Sequence, residues 1–405
     1  LTLKFNYLLI APLLILIGSC GQVNIQDSCD CENPIISLEE SQKCEAIPVK
    51  KKIAEYGLLK RTSWDAIKNK MEQDHLILAW PAWLRSCSVL IKKPYWENSC
   101  KSALKITNDP SNQDLIKYFH SHFNLYQAHQ EDDSTEGLIT GYYQPLLKGS
   151  REKSPQFKVP LYAPPTDLIT VDLSELYPDL KYKRLRGRIE GNKLIPYYTR
   201  EAISDKKIPL EGNEIFWVQD QVEAFFLEIQ GSGVIEFEDG SRTQVGYANQ
   251  NGHPYRSMGR ELINKGELSR HKVSMGSIKA WAKKNKKKLK KFLNANPSYV
   301  FFRELPKGLP GPIGAMGLPI SAERSVAVDR KFIPLGAPIF LSTTEPNSDV
   351  PLERLMVAQD TGGAIGGGVR ADFYWGQGDK AGRKAGSMKQ KGSIWVLLPK
   401  EFKLK

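Results

Sequence analysis

Residues 356–377 read MVAQDTGGAIGGGVRADFYWGQ. An apolar run from Met356 ends in Gln359 and Asp360, a glycine-dominated stretch from Gly362 to Gly368 follows, and a second run opens on Asp372 and continues through Phe373, Tyr374 and Trp375. Short apolar or aromatic runs separated by glycine predict strands joined by a turn, and glycine lets backbone or ligand approach closely. A third aspartate, Asp329, follows the apolar run 325–328. Charged groups at strand ends need a reason. One is structural, with each side chain capping its turn. The other is chemical: a carboxyl that is desolvated or set beside another keeps its proton and can act as a general acid. Asp372 leans to the second, because aromatic faces beside an acid suit the C–H face of a pyranose and dry the carboxyl. Those same rings serve equally well as core.

The flanking sequence has the same texture. SVAVDRKFIPLGAPIFL (325–341) and SIWVLLP (393–399) make the last hundred residues strand-rich. Upstream, LITGYYQPLL (138–147), FKVPLYAPP (157–165), EIFWVQD (214–220), VEAFFLEIQGSGVIEF (222–237) and SRTQVGYANQNG (241–252) predict strands and turns. Asp239-Gly240 is a hairpin-turn signal between two of them. Residues 258–293 return to a helical pattern, with Trp281 and Leu289 as inward anchors. From 47 to about 130 the spacing is helical too, through Trp64, Ile67 and Met71, then Leu115, Tyr118, Phe119, Phe123 and Tyr126. The class expected is α+β, mainly β with helices, and no internal repeat is present.

With 405 residues, 41% of them hydrophobic and 25% charged, general disorder is excluded and two or three domains are expected. The net charge of +12 is local: Lys279, Lys283, Lys284, Lys286, Lys287, Lys288, Lys290 and Lys291 form a run with no acid between them. Such a run can attract nucleic acid or anionic lipid, but no finger, homeodomain or RNA-reading signature accompanies it, and a solvated helix face is the plain reading. The histidines are scattered, so no metal site is expected. Asp360-Thr361-Gly362 is similar to the aspartic-protease signature, whose mechanism needs two carboxylates sharing a proton. No second such loop exists, and Gln359 stands where that family has an apolar residue. The glycines at 362–368 lack the Lys-Ser/Thr ending of a phosphate cradle.

Residues 1–20, LTLKFNYLLIAPLLILIGSC, place Lys4 before an apolar run from Tyr7 to Ile17. This is the pattern of a secretory signal, too short to span a bilayer comfortably. Its Gly18-Ser19-Cys20 ending resembles the bacterial lipobox, which makes 1–19 a signal peptide and Cys20 the lipidated residue; the alternative is an ordinary signal with an incidental cysteine. A leading Leu points to a non-standard start codon or a trimmed amino end. Residues 20–46 read as a flexible tether. Export permits disulfides, and Cys87 with Cys100 closes a short loop and is the expected pair, although connectivity is not set by sequence. Cys29 and Cys31 lack metal or redox spacing and belong to the tether.

Two sets of blocks carry a family resemblance. AVDRKFIPLGAPIFL (327–341), AQDTGGAIGGGVRADFYWGQG (358–378) and AGSMKQKGSIWVLLP (385–399) resemble the three-aspartate domain at the carboxyl end of bacterial cell-wall enzymes. LITGYYQP (138–145), VEAFFLEIQGSGVIEF (222–237), VGYANQNGHPYRSMGREL (245–262) and NPSYVFFRE (296–304) resemble the middle domain of the membrane-bound lytic murein transglycosylase A family. The resemblance spans roughly residues 137–398.

It implies a double-psi β-barrel built from 301–405 and the helical part at 47–146, with a second β-barrel, residues 147–300, inserted into it and a glycan groove between the two. It also implies cleavage of the β-1,4 bond between N-acetylmuramic acid and N-acetylglucosamine without water, leaving a 1,6-anhydromuramic end. Asp372 would be the single acid and then base. Asp360 would raise its pKa or hold a sugar hydroxyl, Asp329 would be structural, and Thr140, Tyr142, Gln230, Gly231, Ser232 and Gly233 would line the groove. No metal, nucleotide or other cofactor is implied. The partners implied are peptidoglycan glycan strands, the membrane through a lipid on Cys20, and cell-wall synthesis or division proteins, with no nucleic acid. Gly21 after the lipidated cysteine implies the outer membrane, facing the periplasm. Two other readings remain: a non-catalytic peptidoglycan-binding lipoprotein, since fold does not decide function, and a muramidase using Asp372 and Asp360 with water.

Overall fold

A computed structural model describes residues 53–106, 109–205 and 210–404 of the chain. The expected signal peptide, Cys20 and the tether lie outside the described residues.

Strand β1 (Leu59–Thr62) leads into helices α1 (Lys68–Gln73), α2 (Trp80–Leu90), α3 (Glu97–Ala103) and α4 (Asn112–His122), then strands β2 (Phe123–Ala128) and β3 (Gly137–Gln144). Apolar residues at helical spacing bury one face of each longer helix: Trp80, Trp83, Cys87 and Leu90 on α2, and Leu115, Tyr118 and Phe119 on α4. Full burial of such a side chain contributes roughly 2 kcal/mol. Ser111 starts α4, its hydroxyl accepting from the Asp114 N–H at 3.2 Å while the Asp114 carboxylate accepts from the Ser111 N–H at 3.3 Å. The expected disulfide joins Cys87 of α2 to Cys100 of α3. The helical spacing expected through Phe123 and Tyr126 is corrected: α4 stops at His122, and Phe123 turns extended at φ −125°, ψ 151°. The next six residues are strand because β2 pairs with a neighbour on each side, and that ladder outweighs a periodicity that three aromatics happen to satisfy.

The chain then leaves for a second sheet. Strands β4 (Leu146–Ser150), β5 (Val159–Tyr162), β6 (Ile169–Thr170), β7 (Arg186–Glu190) and β8 (Lys193–Pro196) precede α5 (Arg200–Ser204), β9 (Glu214–Val218), α6 (Gln221–Gln230), β10 (Ser232–Glu236) and β11 (Arg242–Gln250). Helices α7 (Met258–Asn264), α8 (Met275–Lys284) and α9 (Lys286–Asn294) and strand β12 (Val300–Glu304) complete it. Six of these strands pair in the order β12-β11-β10-β4-β9-β5, and β6-β7-β8 form a small sheet of their own. The strand expected over 222–230 is corrected to helix α6. Asp220 caps it by accepting from the Val222 and Glu223 N–H groups at 2.7 and 3.0 Å, and Gly231 ends it in the left-handed region at φ +78°. Its apolar residues Val222, Phe225 and Phe226 recur at helical steps, a signal masked by the continuous apolar stretch 224–227. The lysine run falls on α8 and α9, which bury Ile278, Trp281, Phe292 and Leu293 and leave the lysines mostly to solvent.

After β12 the chain returns in β13 (Ser325–Val328), β14 (Pro338–Thr344), β15 (Pro351–Asp360), β16 (Arg370–Gln377), α10 (Gly378–Ser387) and β17 (Lys389–Pro399). These strands pair in the order β17-β14-β15-β13-β16-β3, and β3 pairs with β17 as well, so six strands form a closed ring of pairings. Strands β2 and β1 extend it from β17. Period-2 alternation sorts the ring's side chains. Ile139, Val326, Val328, Ala371 and Phe373 join one apolar cluster with the helices, while their neighbours Thr140, Ala327 and Asp372 face the other way.

Candidate active site

Ala327, in the middle of β13, is the pivot of the site. Antiparallel pairing sets Asp372 of β16 opposite it, and parallel pairing sets Asp360 of β15 opposite it on the other side. Thr140 of β3 lies beside Asp372 in turn. One row thus reads Thr140, Asp372, Ala327, Asp360, all on one face. With neighbouring strands about 4.8 Å apart, the two aspartate backbones are roughly 10 Å apart. Asp360 reaches this row through a register shift: Val326 pairs with Ala358, but Ala327 pairs with Asp360. Gln359 is the extra residue of a bulge and turns inward, fully buried. Its amide donates to the Ala82 carbonyl and the Ser86 hydroxyl at 3.0 Å each, and its oxygen accepts from Ser325 at 2.6 Å. A buried amide with its partners met pins the bulge.

The two carboxylates have different surroundings. Asp372 accepts from the Thr140 hydroxyl. Arg370 Nη1 stands 3.7 Å from the same carboxylate oxygen, and Arg370 Nη2 donates to Thr140 Oγ1 at 2.8 Å. That guanidinium is itself held by the carbonyls of Leu138 and Ala371, at 3.3 and 2.6 Å. Burial raises the Asp372 pKa, and the Arg370 charge pulls against it. Asp360 accepts from the Thr361 N–H at 2.9 Å and from the Ala315 N–H and Tyr142 hydroxyl at 3.0 Å each. Burial nonetheless pushes it up to about 6, those three donors lowering it and the neighbouring Asp372 adding to the rise. Tyr142 is kept protonated by burial first and by Asp360 second, and its ring lies 5.1 Å from that of Tyr374. Asp329 is not in the row. It accepts from the Lys331 and Gly367 N–H groups at 3.0 Å each and so ties its own turn to the glycine-rich one.

A cleft of about 640 Å³ adjoins Asp360. Residues 361–364 and 312–315 line one side, and Gln230, Gly231, Ser232 and Tyr247 line another. Thr140, Tyr142 and Asp372 lie outside this lining, beyond Asp360. Gln230 links the two sheets, its side-chain oxygen accepting from the Tyr143 N–H at 3.0 Å. Gly233, expected with these residues, is buried away from the cleft. A Cβ there would stand 2.4 Å from Leu227 Cδ1, so its smallness serves packing of β10 under α6. Among the described residues no group of three or more His, Cys, Asp or Glu is arranged to hold a metal ion. What the site offers is acid–base chemistry by desolvated carboxyls beside a cleft lined by polar and apolar groups alike.

Membrane-bound lytic murein transglycosylase A of Escherichia coli K12 is 33% identical to this chain over 282 residues, covering 68% of this chain and 69% of that one. The chain belongs to the membrane-bound lytic murein transglycosylase A family. It is a lytic murein transglycosylase, a peptidoglycan-cleaving lyase. Within this transglycosylase the family model described as the MltA specific insert domain matches residues 138–303, and the 3D domain matches residues 324–398. The crystal structure of MltA from Neisseria gonorrhoeae is 35% identical, with a TM-score of 0.71, covering 82% of this chain and 90% of that one. The structure of E. coli MltA with bound chitohexaose shares the fold, at 24% identity and a TM-score of 0.61, covering 80% of this chain and 90% of that one. Among the described residues no helix is long and apolar enough to cross a membrane.

Two residues of this transglycosylase's site escaped sequence reading. Arg370 was within reach, since it precedes Asp372 by two and a strand puts such residues on one face. Gln359 was not, because the bulge that turns it inward arises from pairing between distant strands.

Proposed function

We propose that Asp372 is the single acid–base group of the lyase, cleaving the β-1,4 bond between N-acetylmuramic acid and N-acetylglucosamine and leaving a 1,6-anhydromuramic end. The observation that carries this reading is the row Thr140, Asp372, Ala327, Asp360, in which burial favours the protonated form of Asp372. The protonated carboxyl gives its proton to the glycosidic oxygen as the bond from muramic C1 breaks. The carboxylate so formed takes the proton of the muramic C6 hydroxyl while that oxygen bonds to C1. The carboxyl is restored, and no water enters. Ordinary glycosidases need a second carboxylate to activate water or to act as nucleophile. An internal hydroxyl is already close, and proximity replaces the second group.

In this reading Asp360, braced by the Tyr142 hydroxyl, holds sugar hydroxyls in the adjoining cleft, and Gln230, Gly231 and Ser232 form its opposite wall. Chitohexaose, bound by E. coli MltA, is the kind of chain that fits. Cys20 carries lipid, and the enzyme sits on the outer membrane facing the periplasm, within reach of murein strands and of the proteins that synthesise or divide the wall.

Mass spectrometry of muropeptides released from purified sacculi tests the reaction. Wild-type protein should give fragments one water lighter than hydrolytic products. Asp372→Asn removes the transferable proton, and release should fall by about 10³-fold with glycan binding kept. Reducing-end fragments point to a muramidase, and no fragments from a folded protein point to a binding module.

A further inference from the structure

The cleft beside Asp360 is strongly cationic for a site that handles sugars. Lys181, Lys183, Arg184, Arg186, Arg303 and Arg330 all line it. Its acids are already engaged. Asp172 accepts from the Ser174 N–H and hydroxyl at 3.0 and 2.6 Å, Glu228 is gripped by Arg200 at 2.9 and 2.6 Å, and Asp360 has the three donors described above. Of the six cations only Lys181 has a carboxylate partner among the described residues, Glu55 at 2.8 Å. Arg186 is held by neutral groups, the Asn249 side chain and the Leu185 carbonyl, each at 2.7 Å.

Arg184 is the most telling of these residues. It is half-buried, and its Nη1 lies 3.2 Å from where a Cβ on Gly363 would be, so the guanidinium rests on the glycine turn that begins just after Asp360. Arg330 sits over the Tyr182 ring, 5.4 Å from its centroid. Arg330 is exposed, but Arg184 is partly desolvated without a carboxylate partner among the described residues, which is costly, and the planar fork of a guanidinium matches a carboxylate through two parallel bonds. A neutral amino-sugar chain supplies no such partner. Murein does: every second sugar bears a lactyl group that ends in a carboxylate or in a peptide with carboxylates of its own.

We propose that this wall, Arg184 and Arg330 included, is a subsite for the carboxylates that project from the murein glycan. It rests on the reading of the cleft as a glycan groove, and it adds selection for the charged polymer over a neutral one. The lysine run of α8 and α9 takes no part, because it lines another surface.

Calorimetric titration of the full chain carrying Asp372→Asn, which keeps ligands intact, tests this with three probes: chitohexaose, a peptide-free murein hexasaccharide and its peptide-bearing counterpart. The charged oligomers should bind about tenfold tighter than chitohexaose at low salt, as one charge-assisted contact allows, and the advantage should shrink as salt rises. Adding Arg184→Gln and Arg330→Gln should erase the advantage and leave chitohexaose affinity within about twofold, while Arg184→Lys with Arg330→Lys should keep part of it. If the peptide-free oligomer carries the whole gain, the lactyl carboxylate is the ligand; if only the peptide-bearing one gains, the stem peptide is. Equal binding of charged and neutral oligomers overturns the subsite and leaves the groove intact. Failure of every oligomer to bind overturns the groove as well.

Discussion

Asp372 is caught between burial, which favours its proton, and the Arg370 guanidinium, which disfavours it. Arg370 also donates to Thr140, whose hydroxyl in turn donates to Asp372, so one side chain sets both the charge and the orientation of the proposed acid. Removing the charge in Arg370→Gln should raise the Asp372 pKa further. Because the proposed mechanism needs a protonated Asp372, the alkaline limb of kcat for sacculus solubilisation should move to higher pH. A limb that stays put or moves down contradicts the assignment. The spacing of two between Arg370 and Asp372 put this pair within reach of the sequence, although it was not singled out there. The inward turn of Gln359 was not legible, because a bulge is a property of two paired strands.

The strands that carry the aspartates are anchored to the helices by one buried ion pair. Arg324, just before β13, donates to Asp74, just after α1, at 2.7 and 2.8 Å, and Asp74 also accepts from the Leu355 N–H of β15 at 2.7 Å. Both side chains are about 5% exposed. Breaking such a pair strands a buried charge, so Asp74→Ala should cost about 3–5 kcal/mol in urea unfolding. A loss below 1 kcal/mol would mean that water replaces the carboxylate. Strands β13 to β17 were readable as apolar runs broken by glycine and proline, while α10 was missed. Its sequence, GDKAGRKAGS, buries only Ala381 and Ala385 and so has too little apolar contrast to announce a helix.

At the scale of the whole protein, the two raised carboxyls add to the pH dependence of stability a contribution of unusual sign. Asp360, lifted from its ordinary 3.8 to about 6, contributes stability that is full below pH 4 and lost as pH rises through 6. The difference is at most about 3 kcal/mol, and Asp372 acts in the same direction. The change in melting temperature from pH 4 to pH 7 should therefore be more negative in the wild type than in Asp360→Asn, as calorimetry would record; equal changes would mean that Asp360 does not titrate in this range. Much of the architecture follows from local order along the chain. Apolar runs broken by glycine and proline, and helical spacing, already mark helices first, a β region next and a β block last, and the Asp-bearing blocks already carry the family resemblance. The α6 helix stayed hidden because the continuous apolar stretch 224–227 in its middle reads equally well as strand. The closure of six strands into one ring, the arrival of Thr140, Asp372 and Asp360 in one row, and the gathering of cations from 181–186, Arg303 and Arg330 around one cleft came from tertiary pairing. Thr140 and Asp372 are 232 positions apart, the β3–β17 pairs that close the ring are further apart still, and no local propensity encodes a partner at that distance.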